Sequence, residues 1–173
     1  MLVRRAQSPQ RMRTRQTGFS LIELLVVVAI ILIVAVIAIP NLLRSRMAAN
    51  EASAVASVRS INTSQVVYQS SYGPGFAKQL ADLSDGGVTS NCVPPALPTS
   101  TSSCLIDSVL GTGTKSGYII TYGPLGSGTV DAYTLNADPV AWGSSGQRYF
   151  FSDQSYVIRA NTTAVAASTD PPI

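Results

Sequence analysis

Sixteen consecutive apolar residues, LLVVVAIILIVAVIAI at positions 24–39, constrain this chain more than any other feature of its sequence. With Phe19, Ser20, Leu21, Ile22 and Glu23 they make a 21-residue stretch closed by Pro40. As a helix this stretch spans about 30 Å, the thickness of a bilayer's hydrocarbon core. A buried core helix does not suit it, because the run is apolar on every face. A cleaved secretory signal is the alternative, with Val36-Ile37-Ala38 as its small-residue site. Against that stand the length of the run, beyond the usual core of roughly 7–15 residues, and the acid near its start.

Charge fixes the orientation. Arg4, Arg5, Arg11, Arg13 and Arg15 precede the run with no acid among the first seventeen residues, and only Arg44 and Arg46 follow closely. The positive-inside rule then places the N-terminus in the cytoplasm and the remainder outside. The basic excess is thus a short tail against an apolar segment, the layout of a targeting signal, so no nucleic-acid partner is expected for the folded body. The chain contains no histidine, which excludes Ser-His-Asp triads, Cys-His dyads and the usual zinc sites. Many serines and threonines remain, but none has an evident base, so the sequence predicts a protein that is not an enzyme.

Glu23 is the residue that most needs a reason, since a carboxylate toward the end of a membrane helix is costly unless it snorkels or is paired. Gly18-Phe19-Ser20-Leu21-Ile22-Glu23, after a basic leader and before an unbroken apolar helix, resembles the prepilin cleavage and methylation motif of type IV pilins and type II secretion pseudopilins. The similarity continues through the apolar run to Pro40-Asn41-Leu42-Leu43 and covers about the first quarter of the chain. It implies cleavage between Gly18 and Phe19 by a membrane prepilin peptidase, then methylation of the new Phe19 amine. Gly18 suits that step because no side chain obstructs the peptidase. Glu23 is then expected to neutralise the Phe19 amine of a neighbouring subunit, since two buried opposite charges are tolerated where either alone is costly. The implied partners are copies of the same chain in a helical filament, the peptidase, the membrane and an inner-membrane assembly platform. Met12 is an alternative start, giving a leader of seven residues, Met12 to Gly18.

From this follows a division into a leader (1–18), a transmembrane and filament-core helix (19–40), its amphipathic continuation (41–72), a connecting loop (73–116), an antiparallel sheet (117–160) and a flexible tail (161–173). Residues 41–72 contain no proline or glycine, and Gly73-Pro74-Gly75 ends the helix. Ala54, Val55, Val58, Ile61 and Tyr68 form its apolar stripe. Pro40 removes one backbone donor and is expected to kink the helix. Cys92 and Cys104, with eleven residues between them and exported, predict one disulfide. Residues 76–83 suggest a short helix. Runs at 118–122, 132–136, 148–151 and 156–159 are rich in aromatic and β-branched residues and predict an antiparallel meander. One long helix on a small antiparallel sheet is an α+β fold, which the pilin resemblance also implies.

No cofactor is expected. Some pseudopilins bind calcium in a loop near the sheet, but the scattered aspartates here match no ligand spacing, so calcium stays without assigned ligands. Asn62-Thr63-Ser64 and Asn161-Thr162-Thr163 are glycosylation-like triplets of a kind that arises often by chance. The leading functional expectation is a subunit of a type IV pilus-like filament, held in the inner membrane with its C-terminal part outside the cytoplasm, then extracellular. A secretion pseudopilin is the alternative, and a membrane-anchored or secreted binding module the third.

Overall fold

The computed structural model describes residues 18–94 and 96–173. The basic leader and the alternative start at Met12 therefore lie outside the described residues, apart from Gly18. The chain divides into two compact units, residues 1–40 and 41–173. Helix α1 (Leu21–Tyr72) contributes to both and contains Pro40.

In the first unit the helix carries no buried residue, and only Ala35 among positions 24–39 is even partly covered. It is long and apolar enough to cross a membrane. An all-round apolar surface of this kind has no stable place in water.

The second unit begins with the amphipathic part of α1. Ala54, Ser57, Val58, Ile61, Asn62, Gln65 and Tyr68 are its buried face, at three- and four-residue spacings, with Ser64 beside them. The expected stripe is present, with Val55 at its edge. Three polar side chains, Ser57, Asn62 and Gln65, sit in line with its apolar members.

That face packs against one side of a five-stranded antiparallel sheet in the order β1 (Thr114–Lys115), β2 (Tyr118–Leu125), β3 (Ala132–Pro139), β4 (Tyr149–Asp153), β5 (Arg159–Asn161). The register explains which residues face the helix. Tyr122 opposes Leu135 and Ile120 opposes Ala137 across β2 and β3, while Leu135 opposes Ser152 and Ala137 opposes Phe150 across β3 and β4. With a period of two, these residues share the inner face and alternate with outward ones. Tyr118, Tyr133, Leu135 and Phe150 are the largest buried side chains of the sheet. Phe76, Ala77, Leu80, Leu83, Ile106 and Leu110 complete the core from the connection between helix and sheet.

That connection holds single 3-10 turns at Leu80–Leu83 and Thr89–Cys92 and a one-turn helix α2 (Ser108–Gly111). The expected short helix over 76–83 is thus reduced to its last four residues. Asp107 caps α2 by accepting the Leu110 N–H at 2.8 Å and pairs with Lys115 at 2.7 Å. Cys92 and Cys104 form the expected disulfide, with Cα atoms 5.7 Å apart.

Two expectations about the C-terminal region need correction. The run 156–159 is not a strand: the turn at Asp153, whose carboxylate accepts the Ser155 N–H, carries Tyr156 to a φ of +62°. Pairing therefore starts only at Arg159. Residues 161–173 are not a loose tail either. Ala160 donates to Pro171 O and Ile173 to Ile158 O, while Asp170 accepts from Asn161 and the Ala167 N–H. The physical reason lies on the outer face of the sheet. Phe151 opposes Asn136 there and is buried, and Asn136 donates to the carbonyl of buried Ala166. An apolar outward ring needs a cover, and the tail is tied down on the side that provides it.

Candidate functional site: the N-terminal processing and assembly segment

Residues 18–23 hold the residues predicted for processing and assembly, Gly18, Phe19 and Glu23. Gly18 lies before the helix, and a Cβ built on it meets nothing within 4 Å. Among the described residues, nothing crowds the side of Gly18 that a Cβ would occupy. Phe19 is 77% exposed. The helix begins two residues later, with the Ser20 carbonyl accepting the Leu24 N–H at 3.2 Å. Ser20 therefore sits at the N-cap and Glu23 in the first turn. Ser-x-x-Glu is the capping-box pattern, and a carboxylate in the first turn also meets the positive end of the helix dipole. The segment thus has a local reason for Glu23 that the functional reasoning from sequence passed over: the side chain suits the helix start in a single chain. Glu23 itself is exposed.

The other site residues lie elsewhere. Pro40 is inside α1 and cannot donate to the carbonyl four residues earlier. The disulfide belongs to the second unit and borders a hollow lined by Asp85, Ile106, Asp107 and Ser108. Asp85 is buried and committed to the Gly87 N–H at 3.0 Å. Asp107 is held below the usual carboxylate range, chiefly by the Lys115 ammonium. Among the described residues no group of three acidic or thiol side chains converges as a metal site. Of the two glycosylation-like triplets, Asn62 is buried and bonded to Ser152 and Tyr133.

The sequence reading also missed the polar seam between helix and sheet. Asn62 Nδ2 donates to Ser152 Oγ at 2.8 Å, and Asn62 Oδ1 accepts from the Tyr133 hydroxyl at 2.9 Å. Gln65 Oε1 accepts the Ala77 N–H at 3.0 Å, and Ala77 O accepts from Tyr122 at 2.6 Å. Burial pushes the Tyr122 and Tyr133 hydroxyls well above their usual range. They stay neutral donors at any physiological pH. Asn62 and Gln65 follow Val58 and Ile61 by four residues each, the one signal that could have placed them on the buried face.

The chain thus combines one apolar helix of membrane-crossing length near its N-terminus with a helix-on-sheet unit. Residues 13–39 match the model of the prokaryotic N-terminal methylation motif. The chain carries that motif, the hallmark of type IV pilins and pseudopilins of the prepilin type, and its α+β fold is pilin-like. No curated protein and no solved structure matches the chain.

Proposed function

We propose that this chain is the structural subunit of a type IV pilus-like filament, processed between Gly18 and Phe19 and polymerised through the N-terminal part of α1. The observation that carries this reading is the methylation motif on a helix whose apolar side chains, from Leu21 to Leu43, are exposed on all sides. In the membrane, lipid covers them. In a filament, neighbouring helices do. Because both surroundings are apolar, transfer between them gains little from the hydrophobic effect, and packing and charge pairing supply the difference. Cleavage at Gly18 exposes a cation on Phe19, four residues before the Glu23 carboxylate. Pairing it with Glu23 of the next subunit lets both charges leave the interface together. A head-to-tail contact of this kind does not close on itself and yields an open filament. The prepilin peptidase and an inner-membrane assembly platform are the partners this mechanism needs. Pro40 sits where the apolar run ends, and a missing backbone bond there supplies a site for bending or local melting during packing.

The test is the intact mass and N-terminal peptide of the protein from its native host. A chain starting at methylated Phe19 is expected. One retaining Met1, or starting after Ala38, overturns the reading and favours an anchored or secreted module. Filaments in sheared cell-surface material then separate a pilus from the secretion filament of a pseudopilin.

A further inference from the structure

Trp142 is the only tryptophan of the chain, and it is 61% exposed. It lies on the β3–β4 connection, residues 140–148, beside Val140, which is also exposed. An exposed tryptophan on a loose loop would mean little, but this loop is fixed at both ends and in the middle. Val140 donates to Gly117 O at 3.0 Å, Gly143 donates to Gly146 O at 2.9 Å, and Ser145 Oγ bonds Ala141. Asn50 Nδ2 of α1 donates to Ser145 O at 2.9 Å. Glu51 accepts the Gln147 N–H and the Arg148 guanidinium, each at 2.8 Å. Arg148 O accepts from Tyr118, whose hydroxyl fills the place a Cβ on Gly146 would take. The loop is therefore pinned to α1 at positions 50–51 and presents its aromatic ring from a backbone already ordered.

Exposed positive charge also lies on α1, at Arg44 and Arg46, six and four residues before the loop's first attachment at Asn50. Gln147 shares a hollow with Arg44, Met47, Ala48 and Glu51. Glu51 is engaged by Arg148, while Arg44 and Arg46 are exposed. In sequence these two arginines follow Pro40 by four and six residues, directly after the membrane-length run. Tryptophan together with arginine is the composition of a membrane–water interface: the indole prefers headgroup depth and the guanidinium pairs with lipid phosphate.

We propose that the Val140–Gly146 loop, with Arg44 and Arg46, docks the second unit onto anionic phospholipid headgroups while the subunit waits in the membrane. The inference rests on the membrane anchoring proposed above. Its function is to hold the unassembled subunit in one orientation and to make extraction into a filament a two-part event, release of this loop and withdrawal of the helix.

The full chain is placed in vesicles containing phospholipid brominated just below the headgroup, and the emission of Trp142 is read directly. The expected result is a blue-shifted emission, quenched more in anionic than in zwitterionic vesicles. Arg44→Gln with Arg46→Gln is expected to reduce the anionic quenching to the zwitterionic level. A control chain, Trp142→Phe with Ile31→Trp, reports insertion of the helix through quenching by lipid brominated at mid-bilayer. If the control is quenched and Trp142 is not, the anchoring stands and the docking is overturned. If neither is quenched, the anchoring itself fails and takes the docking with it. A blue shift without lipid quenching that grows with protein density assigns the patch to a second copy and also overturns the proposal.

Discussion

At position 23 a carboxylate occupies the first turn of α1, where the helix dipole and the Ser20-x-x-Glu23 pattern both favour it. The same carboxylate is the expected partner of the Phe19 amine in another subunit. Two substitutions separate these roles. Glu23→Gln keeps a side chain that can serve a capping box but removes the charge; Glu23→Ala removes both. If charge pairing drives assembly, both variants give few or no filaments, counted by electron microscopy of sheared material, while Glu23→Gln keeps wild-type helicity by circular dichroism. Normal filaments from Glu23→Gln would reduce Glu23 to a helix cap. Asp138 supports a second prediction at this scale. Its Oδ1 is buried without a hydrogen-bond partner, and burial raises its pKa above the ordinary 3.8. Between 3.8 and that raised value the native state holds the proton more firmly than the unfolded state, so stability falls as pH rises through the window and stays lower at neutrality. Asp138→Asn is therefore expected to melt slightly higher at pH 7 and to lose that part of the acid-side slope. A variant that melts lower at pH 7 contradicts this assignment.

Among the elements, α1 shows what a sequence pattern can and cannot disclose. Its ends were legible, because Gly73-Pro74-Gly75 stops a helix and nothing before it does. Its apolar members were legible from their spacing. Its polar seam was not, because Asn62 and Gln65 read as surface residues until Tyr133, Ser152 and Ala77 are brought against them from distant parts of the chain. The sheet behaves alike: three of the four expected strands are present, but the fourth is displaced by the turn that leaves Tyr156 at positive φ. The tail reads as loose from composition because what holds it is backbone pairing to residues 158–160 and a cover for Phe151. In the candidate site the motif was legible outright, since it lies in one contiguous stretch, residues 13–39. The capping geometry of Glu23 lay in the same six residues. The seam also supports a stability prediction. Asn62→Ala leaves the buried Tyr133 hydroxyl without its acceptor and Ser152 without its donor, so a loss of roughly 2 kcal/mol or more is expected. Asn62→Leu combined with Tyr133→Phe and Ser152→Ala removes all partners together and should recover most of it. Urea unfolding of the detergent-held chain, followed by near-ultraviolet circular dichroism, reads both.

For the whole molecule, the division at Pro40 separates two kinds of stability. Every member of the hydrophobic core, from Ala54 to Ile158, lies in residues 41–173, and so do the disulfide and all five strands. Among the described residues, the first unit contributes no buried apolar side chain. Its order comes from helix hydrogen bonds and from whatever apolar medium surrounds it, lipid or other helices. The two units are then thermodynamically separable, and a chain beginning at Asn41 is expected to fold without detergent. It should migrate as a monomer in size-exclusion chromatography and melt cooperatively within a few degrees of the full chain, since removal of residues 1–40 takes nothing from the core. It should also form no filament under any condition in which the processed full chain does. A fragment that aggregates or melts without cooperativity would mean that the apolar half of α1 nucleates the rest, and that the helix needs its membrane or filament surroundings before the sheet can pack on it. That outcome would make assembly a folding event; the placement of the core in residues 41–173 argues that folding is complete first, and that assembly joins subunits already formed.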